Sequence, residues 1–389
     1  MRQSSPILGV VPSLNDCPPA GLVFMGSEKL NSSGRLSPAK QEGIYQLLPF
    51  ILNPDNIARF EPGKVLIGDR RQYPFQQSFV TCETIDEVAS AISNMVTQGS
   101  GPWLAAVNAL RLLTNKGKAG ISSKNSQQSL LDHLGQAREV LVRTRPTNTA
   151  MKQRLDAIVL LAQEAVFNDD DVDLAVARGI EIMLGDIYDD YTLRARAMAD
   201  QIEDGDGILT NCFGEAGFIL SLAFAKRDGK DITVFSPETR PYFQGAKLTA
   251  PAIHEMGIKV NLVTDNMPAY FMAKQEIQKY VTAADLITVD GHVVNKIGTY
   301  QNAIAARAHG IPFYAFAWGR DNSKKVREDI VIEERDPAEV RIALGSATTI
   351  DVIRARYPAF DITPPEYVTG IVTVKGIVSP SELDDVPKW

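Results

Sequence analysis

From Thr84 onward apolar residues recur at helical spacing. Ile85, Val88, Ala91, Ile92 and Met95 fall on one face, and Trp103 to Leu113, Leu130 to Val142, Met151 to Val166 and Leu174 to Met198 continue the pattern. This predicts a mainly helical domain over 61–200. After Glu203-Asp-Gly-Asp-Gly the period changes: short β-branched runs at 208–211, 232–235, 260–264, 286–289 and 313–316 alternate with predicted helices beginning near Gly214, Gly245, Pro268 and Gly298. Strands alternating with helices imply right-handed crossovers and a parallel sheet covered on both faces. The expected fold class is α/β, with the helical domain followed by a Rossmann-like, doubly wound parallel-sheet domain over 201–389. Residues 1–60 are rich in Pro, Gly, Ser and Asn and predict an irregular extension with one short helix around Lys40 to Leu48.

Composition adds exclusions. The 389 residues are 44% hydrophobic and 22% charged, an ordinary globular balance in a chain long enough for two domains. Forty basic residues against 47 acidic ones give a net charge of -7, with no Lys/Arg-rich run to follow a phosphate backbone, so no nucleic-acid partner is expected. The three cysteines, Cys17, Cys82 and Cys212, are widely spaced and odd in number, which suits a reduced cytoplasm and gives no zinc spacing. The first 25 residues lack a signal-peptide pattern, and no run reaches the roughly 20 apolar residues of a membrane span. A cytoplasmic protein without a metal is expected. No Gly-x-Gly-x-x-Gly opens the first helix of the sheet domain, and Cys212-Phe-Gly-Glu-Ala-Gly places bulky groups where a pyrophosphate would lie, so no NAD is expected.

Two reactive side chains occupy equivalent places. Cys212 ends the run Gly207-Ile-Leu-Thr-Asn-Cys and Asp265 ends Val260-Asn-Leu-Val-Thr-Asp, each after a predicted strand and before a helix. Carboxyl ends of parallel strands are where open α/β sheets bind ligands. Cys212 is open between a thiolate favoured by a helix N-terminus and a buried structural cysteine. Asp265 is open between acid–base chemistry and an ordinary helix N-cap. In Val294-Asn-Lys-Ile-Gly-Thr-Tyr300, Lys296 and the amides near Gly298 and Thr299 form either an anion site or an exposed lysine before a cap. Arg145 before Pro146 is either a phosphate grip or a surface arginine. Gln98-Gly-Ser-Gly-Pro102 is either an anion nest or a helix C-cap. In Glu238-Thr-Arg-Pro-Tyr-Phe-Gln-Gly245, a Glu238–Arg240 ion pair is expected to shape the loop, leaving Gln244 to reach a sugar hydroxyl.

Several ordered motifs carry a resemblance: Ser236-Pro-Glu-Thr-Arg-Pro-Tyr-Phe-Gln-Gly-Ala-Lys-Leu-Thr-Ala250, Val263-Thr-Asp-Asn-Met267, Asn295-Lys-Ile-Gly-Thr-Tyr300, His309-Gly-Ile-Pro-Phe-Tyr314 and Phe360-Asp-Ile-Thr-Pro-Pro-Glu-Tyr-Val-Thr-Gly-Ile371. The chain resembles the S-methyl-5-thioribose-1-phosphate isomerase family, itself related to regulatory subunits of the eukaryotic translation-initiation exchange factor, from about Val65 to Pro380. The resemblance implies interconversion of a furanose 1-phosphate and an open-chain ketose 1-phosphate without a metal or nucleotide cofactor. It implies Cys212 and Asp265 as the catalytic cysteine and aspartate, Arg145, Gln244, Asn295 and Lys296 as sugar-phosphate contacts, and Gly99 with Ser100 as the phosphate loop. It also implies a homo-oligomer, commonly a dimer, and proton transfer through an enediol or a hydride shift.

Three segments depart from the family pattern. Gln98-Gly-Ser-Gly-Pro-Trp-Leu104 replaces Arg-Gly-Ala-Pro-Ala-Ile-Gly, losing an arginine and adding an indole. Thr210-Asn-Cys-Phe213 replaces Thr-His-Cys-Asn, and Ala283-Ala-Asp-Leu286 replaces Gly-Ala-Asp-Arg. The substrate is therefore open among S-methyl-5-thioribose 1-phosphate, 5-deoxyribose 1-phosphate and ribose 1,5-bisphosphate. The alternative from another class is a non-catalytic regulatory or binding protein on the same fold.

Overall fold

The computed structural model describes residues 43–99, 101–117, 124–145 and 148–383. Most of the expected N-terminal extension therefore lies outside the described residues, as does Ser100; within 43–60 there is a 3-10 turn at Ile44–Gln46 and the start of a strand. Five helices follow: α1 (Ile85–Ser93), α2 (Gly101–Gly117), α3 (Lys124–Arg143), α4 (Thr149–Phe167) and α5 (Val172–Ala199). Their starts are legible chemically. At α1 the Thr84 hydroxyl accepts the Glu87 amide at 3.2 Å while the Glu87 carboxylate accepts the Thr84 amide at 3.1 Å, a reciprocal cap. Asn148 and Asp171 cap α4 and α5 by accepting the amides of Met151 and Leu174. A small antiparallel sheet, β1 (Ala58–Glu61), β2 (Lys64–Gly68) and β3 (Phe79–Cys82), precedes them.

The second half is built on β4 (Gly207–Leu209), β5 (Thr233–Pro237), β6 (Lys259–Val263), β7 (Lys279–Ala283), β10 (Phe313–Phe316), β14 (Gly370–Thr373) and β15 (Gly376–Val378). In space they run β15-β14-β10-β7-β4-β5-β6, all parallel except the β15 edge. Counted along the chain, the parallel strands stand in the order 3-2-1-4-5-6, the doubly wound arrangement whose direction of winding reverses between β4 and β7. Helices α6 (Ala216–Arg227), α7 (Ala250–Glu255), α8 (Pro268–Ala273) and α9 (Thr299–Ala308) cover it. Side chains alternate across the sheet: Ile208 and Val234 join the core shared with the N-terminal helices, whereas Leu209 and Phe235 join the core on the other face. The first core is continuous from Ile44 through Leu110, Tyr188 and Phe218 to Val372, so helices and sheet share one apolar interior.

The sheet differs from the sequence reading at one strand. The run 286–289 was expected to enter the parallel sheet, but 279–283 takes that place. Lys279 disguises this strand, because a charged residue breaks the apolar run; it is buried through a 2.6 Å ion pair with Asp206. Leu286–Ile287 (β8) instead pairs with β9 (Val293–Lys296), which pairs with β13 (Phe360–Thr363) in a separate antiparallel sheet. Between β10 and β13 the chain makes a long excursion carrying the small hairpin β11–β12 (Ile342–Ala343 and Ser346–Ala347). Among the described residues no helix is long and apolar enough to cross a membrane.

Candidate active site

Winding reverses between β4 and β7, and the crevice at their carboxyl ends is where such sheets bind ligands. Cys212 follows β4 and Asp285 follows β7, so a thiol and a carboxyl flank that crevice. The Asp285 amide donates to the Val294 carbonyl at 2.9 Å, tying it to β9, whose last two residues are Asn295 and Lys296.

Cys212 is held from both sides. Its amide donates to the Thr239 hydroxyl at 3.1 Å, and its carbonyl accepts the Thr249 hydroxyl at 2.6 Å. These clamps keep it at φ 62°, a left-handed conformation that costs a non-glycine residue about 1–3 kcal/mol. Burial pushes the thiol up to about 11, opposed by the Lys296 charge and reinforced by Asp285. Burial also raises the Asp285 carboxyl, against the pull of Lys296 and then Arg335. Lys296 is itself lowered by burial and held charged by Cys212 and Asp285. The three groups, with Arg335 at their margin, form one electrostatic unit.

Thr299 joins the two sides. Its hydroxyl accepts the side-chain amides of Asn211 at 2.9 Å and Asn295 at 3.0 Å, and donates to the Lys296 carbonyl at 2.7 Å. Asn295 also donates to Thr282 at 3.1 Å, and the Lys296 ammonium lies 4.7 Å from the centre of the Phe360 ring, a cation–π contact.

Three loops are arranged differently from the sequence reading. Asp265 follows β6, two strands from β4, and its carboxylate accepts the amides of Thr239 and Arg240, each at 2.8 Å, so both its oxygens brace the loop whose Thr239 hydroxyl accepts the Cys212 amide. Arg240 does not pair with Glu238; its guanidinium donates to the carbonyls of Val340 at 2.9 Å and Ile342 at 3.1 Å, anchoring the excursion. The amides of Gly298 and Tyr300 are not free for an anion, because Asp361 accepts them at 2.7 and 3.1 Å.

The other predicted residues have partners of their own. Gln244 immediately precedes the π-helical turn Gly245–Thr249 that holds Cys212 through Thr249, and its buried Oε1 has no hydrogen-bond partner. Arg145 donates to the Ile92 carbonyl at 3.1 Å and touches the Met95 sulfur, while its buried Nε lacks a partner. Unpaired buried polar atoms are costly; a ligand hydroxyl could donate to the Gln244 oxygen, and a phosphate oxygen could accept from Arg145 Nε. Gly99, at φ 62°, ends the described part of the loop before α2. Trp103 is buried beneath the Arg154 guanidinium, 4.7 Å from its ring centre, and Phe213 lies under Arg70 at 5.7 Å.

Sequence reasoning gave Asp285 no role, although the residue keeps the aspartate of the Gly-Ala-Asp-Arg pattern in Ala283-Ala-Asp-Leu286, and it did not single out Arg335. The signal for Asp285 was its place one residue beyond Ala283-Ala, which becomes visible once 279–283 is recognised as a sheet strand. Arg335 lies in the excursion and reaches the site by folding alone, placed over the Tyr242 and Phe360 rings at 5.4 and 5.7 Å.

The chain is similar along most of its length to proteins of known name. The methylthioribose-1-phosphate isomerase of Thermosipho africanus is 32% identical over 349 residues, covering 84% of this chain and 95% of the relative. That of Thermotoga petrophila is 34% identical over 331 residues, covering 82% and 94%. Among solved structures, 5-methylthioribose 1-phosphate isomerase from Pyrococcus horikoshii matches with TM-score 0.74 at 30% identity, covering 83% of this chain and 92% of that one. The delta subunit of translation initiation factor eIF-2B from A. fulgidus matches with TM-score 0.75 at 29% identity, covering 83% and 95%. The model of the initiation factor 2 subunit family matches residues 99–380, and the chain belongs to that family.

Proposed function

We propose that this protein is an aldose–ketose isomerase acting on a pentose 1-phosphate: S-methyl-5-thioribose 1-phosphate, or a close analogue such as 5-deoxyribose 1-phosphate or ribose 1,5-bisphosphate. The observation that carries the reading is the placement of Cys212 and Asp285 at the ends of the two strands flanking the winding reversal. Relatives named methylthioribose-1-phosphate isomerase at 32–34% identity support it.

The chemistry follows from two protonatable groups and a cation. Asp285, whose carboxyl is raised by burial, protonates the ring oxygen as the C1–O4 bond breaks. Cys212 as thiolate takes the proton from C2, and that C–H electron pair becomes the C1–C2 double bond of an enol. The C2 hydroxyl then returns its proton to Asp285 as the ketone forms, while the Cys212 thiol delivers its proton to C1. No proton is gained or lost over the cycle. Lys296 stabilises the thiolate that burial disfavours, and Arg145, Gln244, Asn295 and the Gly99–Ser100 loop hold the sugar phosphate. The same reading takes the protein as a homodimer, which sedimentation measures.

The experiment is incubation with the three pentose 1-phosphates, following ketose formation by NMR, with Cys212→Ser and Asp285→Asn as controls. Turnover of one compound, lost in both variants, establishes the activity and names the substrate. A second reading, a non-catalytic regulatory protein, draws on the likeness to the A. fulgidus subunit. Binding of a sugar or nucleotide phosphate without turnover favours that second reading.

A further inference from the structure

The loop at Gln98 lacks the arginine that the resemblance places there, so a phosphate bound at Gly99 would lose its nearest cation. A different guanidinium lies beneath the loop. Arg70, just past β2, is 6% exposed; its Nη1 donates to the Gln98 carbonyl at 2.7 Å and its Nη2 to the Ile51 carbonyl at 2.7 Å. Nη1 is 3.6 Å from where a Cβ on Gly99 would stand. The two bonds occupy two of the five guanidinium N–H groups. The same guanidinium lies 5.7 Å from the centre of the ring of Phe213, the residue after Cys212.

What Arg70 lacks is a counter-ion. Asp69, its neighbour, is spent on Arg71 at 2.7 Å, and no carboxylate pairs with Arg70 among the described residues. Its titratable neighbours are the hydroxyls of Tyr188 and Tyr191, and burial lowers it to about 10. An uncompensated charge in a protein interior is expensive, and a bound anion is one way to balance it. Among the described residues only Arg70 Nη1 lies within 4 Å of where a Cβ on Gly99, in the left-handed region, would stand, and the 17-residue helix α2 begins two residues later with its positive dipole end toward the loop.

We propose that Arg70 is a phosphate-binding cation of this protein in addition to Arg145, supplying from beneath the Gly99 loop the charge that Gln98 does not. This rests on the sugar-phosphate reading. It makes Arg70 a binding residue whose charge enters from β2, while Cys212, Asp285 and Lys296 carry the proton chemistry.

The test is isothermal titration of the full chain with inorganic phosphate, beside kinetics on whichever pentose 1-phosphate the unaltered protein turns over. Arg70→Gln is expected to weaken phosphate binding and raise KM by about tenfold or more, with a smaller change in kcat. Adding Gln98→Arg to Arg70→Gln is expected to restore a large part of both, because the charge returns to the same loop from above. Unchanged phosphate affinity in a folded Arg70→Gln overturns the proposal. If circular dichroism shows that variant unfolded, Arg70→Lys carries the test: weakened binding supports the proposal, wild-type binding overturns it. Absence of turnover in the unaltered protein instead counts against the isomerase reading, and leaves the phosphate titration to decide the role of Arg70 separately.

Discussion

The Asn211 side-chain amide donates to the Thr299 hydroxyl at 2.9 Å, joining the residue before Cys212 to the helix that follows Lys296. With Asn295 as second donor and the Lys296 carbonyl as acceptor, that hydroxyl uses its one proton and both lone pairs. Thr299→Val keeps the shape but strips a partner from Asn211, which retains only the longer 3.3 Å bond to the Lys296 carbonyl. The expected loss is about 1–3 kcal/mol of stability together with reduced kcat, read by urea denaturation and by turnover. Thr299→Ser, which keeps the hydroxyl, is expected to recover most of both.

Asp285 and Asp265 separate cleanly by mutation. Asp285→Asn removes the acid at the crevice and is expected to lower kcat by about 10²–10⁴-fold with the fold intact. Asp265→Asn keeps one carbonyl oxygen for two amides; it is expected to cost about 1–3 kcal/mol in thermal stability and to affect activity less. Equal losses of kcat in the two variants would overturn the assignment.

The Cys212 thiol sets a pH dependence. Its folded-state value of about 11 stands above the ordinary 9.0, so burial of the neutral thiol contributes stability that is complete below pH 9 and is lost as the pH rises through 11. Alkylation of Cys212 by iodoacetamide in the free protein is expected to be slow at neutral pH and to accelerate with a midpoint near 11, followed by peptide mass spectrometry. Rapid labelling at pH 7 would contradict the assigned environment.

Arg194 is buried against Glu215 at 2.8 Å, with its guanidinium 3.9 Å from the centre of the Trp318 ring. Glu215 begins α6 just after Cys212, and Arg194 belongs to α5, so this pair joins the helical layer to the sheet next to the site. Arg194→Met is expected to cost about 2–4 kcal/mol, because it leaves a largely buried carboxylate unpaired; a guanidinium chloride transition measures it. Pairing Arg194→Met with Glu215→Leu is expected to regain much of that loss, since no buried charge is then left alone.

What was legible in the sequence was local. The helical spacing of apolar residues and the alternation of strand and helix gave the fold class, because each depends on neighbours within a few residues. Cys212 stands out in the sequence because it closes an apolar strand run. Asp285 escaped because Lys279 interrupts the hydrophobic pattern of its strand, and only the distant Asp206 makes that lysine a core residue. Which strand ends are adjacent depends on strand order, and order is a long-range property: Asp265 and Asp285 look alike along the chain, yet one follows an edge strand and the other a central one. Arg335 comes near Cys212, Asp285 and Lys296 from a segment with no periodic signal, through packing alone.

The continuous interior from Ile44 to Val372 bears on how such a protein can diversify. Recombination between relatives usually succeeds where a crossover cuts few contacts. Here a crossover near residue 203, between the last long helix and the first strand of the large sheet, would sever Tyr191 from Trp318, whose rings lie 5.3 Å apart, and Arg194 from Glu215. Chimaeras joined there should be insoluble unless both sides of that seam come from one parent. The reactive strand ends can drift toward a new sugar by point changes, but the helical half that covers them must be inherited with them.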